Sequence, residues 1–216
     1  MKIGVLALQG DFEAHARVLE KLGAEVVYVR APEDLQGLAG LVLPGGESTT
    51  HMKLLEETGL DEAIRKMAES GAAVFGTCAG AILLAQEVKE PAQRSLGLME
   101  ITVVRNAYGR QLSSDVLTLE TKLCEQPLEM VFIRAPIIEK AAKGVEVLAE
   151  REGKPVLVQQ GRMLAATFHP ELTADTAIHE KFLELAAGAH EAGASNGRRR
   201  AAASTQSHKE PGKSRQ

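Results

Sequence analysis

Cysteine is scarce in this chain. Only Cys78 and Cys124 are present among 216 residues. Two thiols could pair, but nothing resembles the disulfide framework of a small secreted domain. No apolar run approaches the roughly 20 residues a membrane helix needs. Met1-Lys2 leads directly into Ile3–Leu8, and Gln9-Gly10-Asp11 stops that run, so no signal-peptide pattern is visible. The expectation is a cytoplasmic protein with reduced thiols and no membrane segment. Metal motifs are also missing: there is no Cys-x-x-Cys, no His-Glu-x-x-His and no acidic cluster with ligand spacing. No metal or other cofactor is expected. The net charge of −4 is unevenly spread. From Gly188 onward six basic side chains face two acidic ones, so the preceding body must carry −8. An acidic body argues against a nucleic-acid-binding core. That last stretch, 188–216, has no aliphatic side chain larger than alanine. It cannot bury enough apolar surface to offset chain entropy, and the expectation is a disordered basic tail. Its Arg198-Arg199-Arg200 run could touch nucleic acid, or simply be solvated.

The apolar fraction, 44%, allows a substantial core, and the length fits one domain with a tail. Short apolar runs alternate with helical patterns through the first half. Ile3–Leu8, Glu25–Arg30, Gly40–Leu43 and Ala72–Phe75 read as strands. Asp11 can cap a helix carrying Phe12, His15, Leu19 and Leu22, with Gly23 as its stop. A second helical stretch runs from about Thr50 to Ser70, with Gly59 as an interruption, and a third covers Ala79–Gln86. After Pro91 the pattern becomes strand-rich: Leu98–Arg105, Val116–Glu120, Met130–Arg134, Val145–Glu150, Pro155–Gln160 and Met163–Phe168. Glu152-Gly153-Lys154 and Gly161-Arg162 stand where hairpin turns belong. A last helix is expected from about Thr173 to Ala187. The whole predicts an α/β three-layer sandwich, with a mostly parallel central sheet flanked by helices, over residues 1–187.

Three stretches carry chemistry. Gly76-Thr77-Cys78-Ala79-Gly80 lies between a strand and a helix, the setting of a nucleophile elbow. A helix N-terminus there favours thiolate and offers backbone N–H groups to an oxyanion. A buried structural cysteine is the plainer alternative. Cys124 has no such setting. Of six histidines, His15 and His51 fall on helical patterns, where a solvated or core role is the simpler reading, and His179 falls on the last helix. His169 differs: it follows a strand, in Phe168-His169-Pro170-Glu171. A turn at the proline would let Glu171 fix the imidazole tautomer. Alone, that tripeptide is a weak signal. Pro44-Gly45-Gly46-Glu47-Ser48-Thr49 follows another strand. Its glycines suit an oxyanion hole or an ordinary turn; a phosphate loop lacks its Gly-Lys-Ser/Thr ending.

The elbow and Phe168-His169-Pro170-Glu171 together resemble the class I (triad) glutamine amidotransferase family, whose fold is flavodoxin-like. Two further stretches are more specific. Ile3–Phe12 with His15, and Leu43–Thr50, resemble glutaminase subunits of pyridoxal 5′-phosphate synthases, over about residues 1–187. The resemblance implies hydrolysis of L-glutamine to glutamate and ammonia, through a triad of Cys78, His169 and Glu171. It implies a partner, a barrel-shaped synthase subunit within a large hetero-oligomer, that uses the ammonia to make pyridoxal 5′-phosphate in vitamin B6 biosynthesis. Gly46 and Ala79 would supply oxyanion N–H groups. Gly46, Glu47, Ser48, Arg105, Ile133 and Arg134 would contact glutamine. A guanidinium suits the substrate α-carboxylate, and a carboxylate such as Glu47 suits its α-ammonium. The Gln9-Gly10-Asp11 turn resembles the family's partner-contacting region.

One segment departs from the family. The family usually continues Tyr-Gly-Arg-Gln with an acidic residue, Ser and Phe, whereas Tyr108-Gly109-Arg110-Gln111 is followed here by Leu112-Ser113-Ser114-Asp115, without that Phe. Other readings remain open at this stage: the glutaminase component of another class I amidotransferase, a cysteine hydrolase or chaperone of related fold, or a binding module with a structural Cys78.

Overall fold

The computed structural model describes residues 1–105 and 114–188. Its centre is a seven-stranded sheet. The strands are β1 (Lys2–Leu6), β2 (Glu25–Val29), β3 (Gly40–Leu43), β4 (Ala73–Thr77), β10 (Glu146–Arg151), β11 (Lys154–Gln160) and β12 (Met163–Ala166). Their order is β10-β11-β12-β4-β3-β1-β2. The run from β12 to β2 is parallel throughout, and β10 and β11 extend it as antiparallel strands at one edge. Two turns make that edge, with Glu152 and Gly153 at φ 52° and 74° between β10 and β11, and Gly161 at φ 57° between β11 and β12. Both stand at the expected hairpin positions.

Strand side chains alternate between two cores. Ile3, Val5, Val42 and Phe75 face one side, where α1 (Phe12–Lys21) contributes Leu19 and a last helix over 177–188, α5, contributes Ile178 and Phe182. Leu6, Leu41, Leu43 and Val74 face the other side. There α2 (Ser48–Thr58) supplies Met52 and Leu55, α3 (Leu60–Glu69) supplies Leu60 and Ile64, and α4 (Ala79–Leu84) supplies Ile82 and Leu83. This is the expected three-layer arrangement, with each face of the parallel sheet covered. Gly59, at φ 73°, separates α2 from α3 where the interruption was expected. Helix α4 has only six residues, all of them buried. A helix so short has no stability of its own. Burial holds it, at about 1.5–3 kcal/mol for each large apolar side chain.

The structure differs from the sequence reading in three elements. Helix α4 stops at Leu84 rather than Gln86, and Ala85–Lys89 forms β5 instead. β5 pairs in parallel with β6 (Met99–Val104), with Ala85 opposite Met99 and Val88 opposite Val103. Pairing with a partner remote in sequence overrides the local helical pattern. β6 also pairs with β9 (Ile137–Ala141), a strand the pattern did not single out, and the three make a small separate sheet. Asp11 does precede α1, but its side chain makes no capping bond. The remaining pair, β7 (Ser114–Leu119) and β8 (Leu128–Ile133), forms an antiparallel ribbon. Residues 108–113 of the segment that departs from the family, and the tail beyond 188, lie outside the described residues. Among the described residues no helix is long and apolar enough to cross a membrane.

Candidate active site

β3, β4 and β12 are neighbours in the sheet, so the loops leaving their carboxyl ends meet. Register levels them: Leu43 of β3 faces Gly76 of β4, and Thr77 of β4 faces Ala166 of β12. The Cys78 N–H then donates to the Ala166 carbonyl at 2.8 Å, and the His169 N–H donates to the Val131 carbonyl of β8 at 2.8 Å. Cys78 holds φ 48° and ψ −102°, a backbone that side chains with a Cβ rarely adopt. Its flanks explain why small residues are needed there. A Cβ on Gly80 would collide with the Leu43 carbonyl, and one on Gly76 would come 2.5 Å from the Gly80 carbonyl oxygen. The chain thus turns sharply from β4 into α4 with Cys78 at the apex.

Pro170–Leu172 forms a 3-10 turn, which folds Glu171 back under His169. Glu171 Oε1 accepts from His169 Nδ1 at 2.7 Å, with the carboxylate side chain fully buried. Burial opposes a charged His169, but its hydrogen bonds to Cys78 and Glu171 outweigh that and raise its pKa to about 10. Burial likewise pushes Glu171 up, and the imidazoles of His15 and His169 more than offset this, so its carboxyl lies below the usual range. The Cys78 Sγ also lies 3.9 Å from the Ile133 carbonyl oxygen.

Cys78 and His169 open into a cleft of about 480 Å³. Gly46, Glu47, Ser48, Ala79, Arg105, Ile133 and Arg134 line it as well. The structure therefore brings together all the positions singled out in the sequence, with Glu171 behind the wall. Arg134 enters with φ 46°. Gly45 passes so close to the imidazole that a Cβ there would stand 2.5 Å from His169 Cε1. The carboxylate of Glu47, a residue expected to contact glutamine, is engaged within the protein. It caps α2, accepting from the N–H groups of Thr49 and Thr50 at 3.2 and 2.7 Å and from both their hydroxyls. Its Oε1 also accepts from Arg105 at 3.1 Å. Burial raises its pKa, the Thr49 and Thr50 bonds lower it, and the balance is about 2. The Ser48 hydroxyl donates to Gln93 Oε1 at 2.9 Å. Gln9 donates to the Glu47 carbonyl and, through its own carbonyl, meets His51 Nε2 at 3.2 Å, tying the turn after β1 to the Gly45–Glu47 loop.

The profile of the SNO glutamine amidotransferase family matches residues 5–187. The chain belongs to this family. Its relatives include pyridoxal 5′-phosphate synthase subunit PdxT of Koribacter versatilis, 60% identical over 185 residues that cover 86% of this chain and 95% of that one. The PdxT of Thermotoga maritima is 49% identical over 186 residues, covering 86% and 99%. Among solved structures, a glutamine amidotransferase crystal structure is 51% identical with a TM-score of 0.81, over 86% of this chain and 98% of that one. PurLQS from Thermotoga maritima, at 18% identity and a TM-score of 0.64 over 85% and 97%, shares the fold. As a class I glutamine amidotransferase fold, the chain has the architecture its strand–helix pattern predicted.

Three residues beside this amidotransferase site were not assigned to it from the sequence. His15, Thr77 and His179 are fully buried behind Glu171 and bonded to one another. His15 belongs to the N-terminal stretch that carries the family resemblance, and it recurs at helical spacing with Phe12, Leu19 and Leu22. That left a solvated or a core role open and gave no sign of a carboxylate beside it.

Proposed function

We propose that this chain is the glutaminase subunit of a pyridoxal 5′-phosphate synthase, hydrolysing L-glutamine to L-glutamate and ammonia in the cytoplasm. The observation that carries the reading is the set Cys78, His169 and Glu171 at adjacent strand ends, opening on a cleft with two arginines. The family match and the PdxT relatives support it.

The chemistry follows from the geometry. Cys78 Sγ attacks the side-chain amide carbon as a thiolate, with the proton held by His169. The tetrahedral oxyanion is received by backbone N–H groups at Gly46 and Ala79. His169 gives its proton to the departing nitrogen, releasing ammonia and leaving a γ-glutamyl thioester. The neutral imidazole then takes a proton from water as its oxygen attacks the thioester. Collapse of the second intermediate releases glutamate and restores the Cys78 thiolate with protonated His169. Arg105 and Arg134 receive the substrate α-carboxylate. A guanidinium has five N–H donors, so Arg105 can keep Glu47 while doing this. Cys78→Ala should abolish ammonia release from glutamine; turnover within tenfold of the unaltered protein would reject the assignment.

Ammonia released without a consumer is wasted. The partner would be a barrel-shaped synthase subunit, in a large hetero-oligomer. The Gln9–Glu47 hydrogen bond gives it a route to the site, since it links the Gln9-Gly10-Asp11 turn to the Gly45–Glu47 loop. Glutaminase activity should be low for the subunit alone and rise on adding the synthase subunit. Equal rates in both conditions would refute the coupling. Adding synthase subunit with ribose 5-phosphate, and looking for a chromophore, separates this reading from a glutaminase of another amidotransferase.

A further inference from the structure

Glu171 has two carboxylate oxygens, and the triad uses one. Oε1 accepts from His169. Oε2 is buried and has no well-aligned hydrogen bond among the described residues. His15 Nε2 lies 3.3 Å from it, with both side chains completely inaccessible to water. The same ring nitrogen also lies 3.0 Å from Thr77 Oγ1. On its other side, His15 Nδ1 lies 3.0 Å from His179 Nε2 on α5. Phe75 stacks edge-on against both rings, at centroid distances of 6.0 and 5.7 Å. The result is a buried row, His179–His15–Glu171–His169–Cys78, in which His15 also meets Thr77, the residue just before the elbow cysteine.

The protons in this row can be placed. Burial lowers the His15 pKa, with the charge of His169 adding to it and those of Glu171 and Asp11 opposing. Burial, with His15 beside it, lowers His179 to about 3. Each ring is therefore neutral at neutral pH and carries one N–H. A lone pair on His15 Nε2 would face a carboxylate, so that nitrogen carries the hydrogen. His15 Nδ1 is then an acceptor, and His179 Nε2–H donates to it. This leaves His179 Nδ1 as a bare lone pair, in keeping with its having no hydrogen-bond partner among the described residues. The opposite assignment buries an unpaired N–H and sets a lone pair against a charge. Two buried imidazoles also cost more than an aliphatic pair of similar size would, unless their bonds serve another group.

We infer that His15 is a positioning residue of the glutaminase site: its Nε2–H holds the second oxygen of Glu171, with His179 fixing the tautomer, so that Oε1 stays aligned on His169. It touches neither substrate nor sulfur. Without it the carboxylate can rotate about its last torsion, and the imidazole loses its orientation. The inference rests on the proposed triad.

Two substitutions separate this role from mere packing. In His15→Gln the side-chain amide N–H reaches the position of Nε2. In His15→Asn the amide sits near Nδ1, facing His179, and Glu171 Oε2 is left without a donor. Glutamine hydrolysis is assayed with the synthase subunit present, and folding is followed by thermal melting. The Asn variant should lose about ten- to a hundredfold in kcat with KM little changed, the scale of one hydrogen bond to a charged group. The Gln variant should stay within a fewfold of the unaltered protein. An Asn variant with full kcat, or a Gln variant as impaired as Asn, would overturn the inference. Nitrogen-15 NMR of histidine-labelled unaltered protein tests it without any variant, so loss of folding leaves it decidable. His15 should appear as the Nε2–H tautomer near neutral pH, and a protonated Nδ1 would overturn the assignment. Cys78→Ala assayed alongside keeps the two levels apart: activity there rejects the triad, whereas an inactive Cys78→Ala with a fully active His15→Asn rejects only the role of His15.

Discussion

Cys78 stores backbone strain of about 1–3 kcal/mol, the usual cost of a non-glycine residue at positive φ. Gly80 makes the strain possible by leaving room for the Leu43 carbonyl. Gly80→Ala should therefore cost about 1–3 kcal/mol of stability through overpacking and reduce glutamine hydrolysis with it, read by thermal melting and an ammonia assay. An alanine variant that melts and turns over normally would show that the elbow has slack. The buried imidazoles make a second prediction. His179 falls from 6.5 to about 3 on folding, so between those values the unfolded chain binds a proton that the folded chain does not. Stability should fall as pH drops below about 6.5, by up to about 1.4 kcal/mol per pH unit for such a group. Denaturant unfolding at pH 7 and pH 5 measures this, and His179→Asn should flatten the slope.

At the scale of elements, Glu47 links helix α2 to the cleft. It caps four donors at the start of α2 and holds Arg105 at its rim. Glu47→Gln should destabilise at pH 7 by about 1 kcal/mol, a typical cap contribution, reduced further because the side chain is half exposed. Its depressed pKa sets the window. The stabilisation is present above about 4.5 and disappears as pH falls toward about 2, so the variant and the unaltered protein should converge in acid. Secondary structure was legible in the sequence where a signal was local. The Gly59 break and the two hairpin turns needed no partner to be read. β5 and β9 were not legible, because each exists through pairing with β6, 14 to 40 residues away in the register. Ala85 continues an apolar helical pattern until that partner is in place.

For the molecule as a whole, the family match ends at residue 187, and the relatives cover 86% of the chain. Truncation after Gly188 should leave the melting midpoint and the synthase-stimulated glutaminase rate unchanged; loss of either would assign the basic tail a part in the fold or the assembly. The cleft residues were legible as motifs because a sharp elbow, a glycine pair and a histidine after a strand are each short-range demands of backbone geometry. Their convergence follows from parallel strands that share one carboxyl edge. Arg105 and Arg134 carried no local signal and entered only through resemblance, since an arginine at a strand end can face water equally well. The sequence alone determined which side chains could do amide chemistry, because reactivity belongs to residue type and immediate neighbours. Only the tertiary structure decided that His15 and His179 stand behind Glu171, or that Glu47 is clamped. Those contacts join residues 164, 156 and 58 positions apart, and nothing in the local chain encodes which buried polar groups will meet.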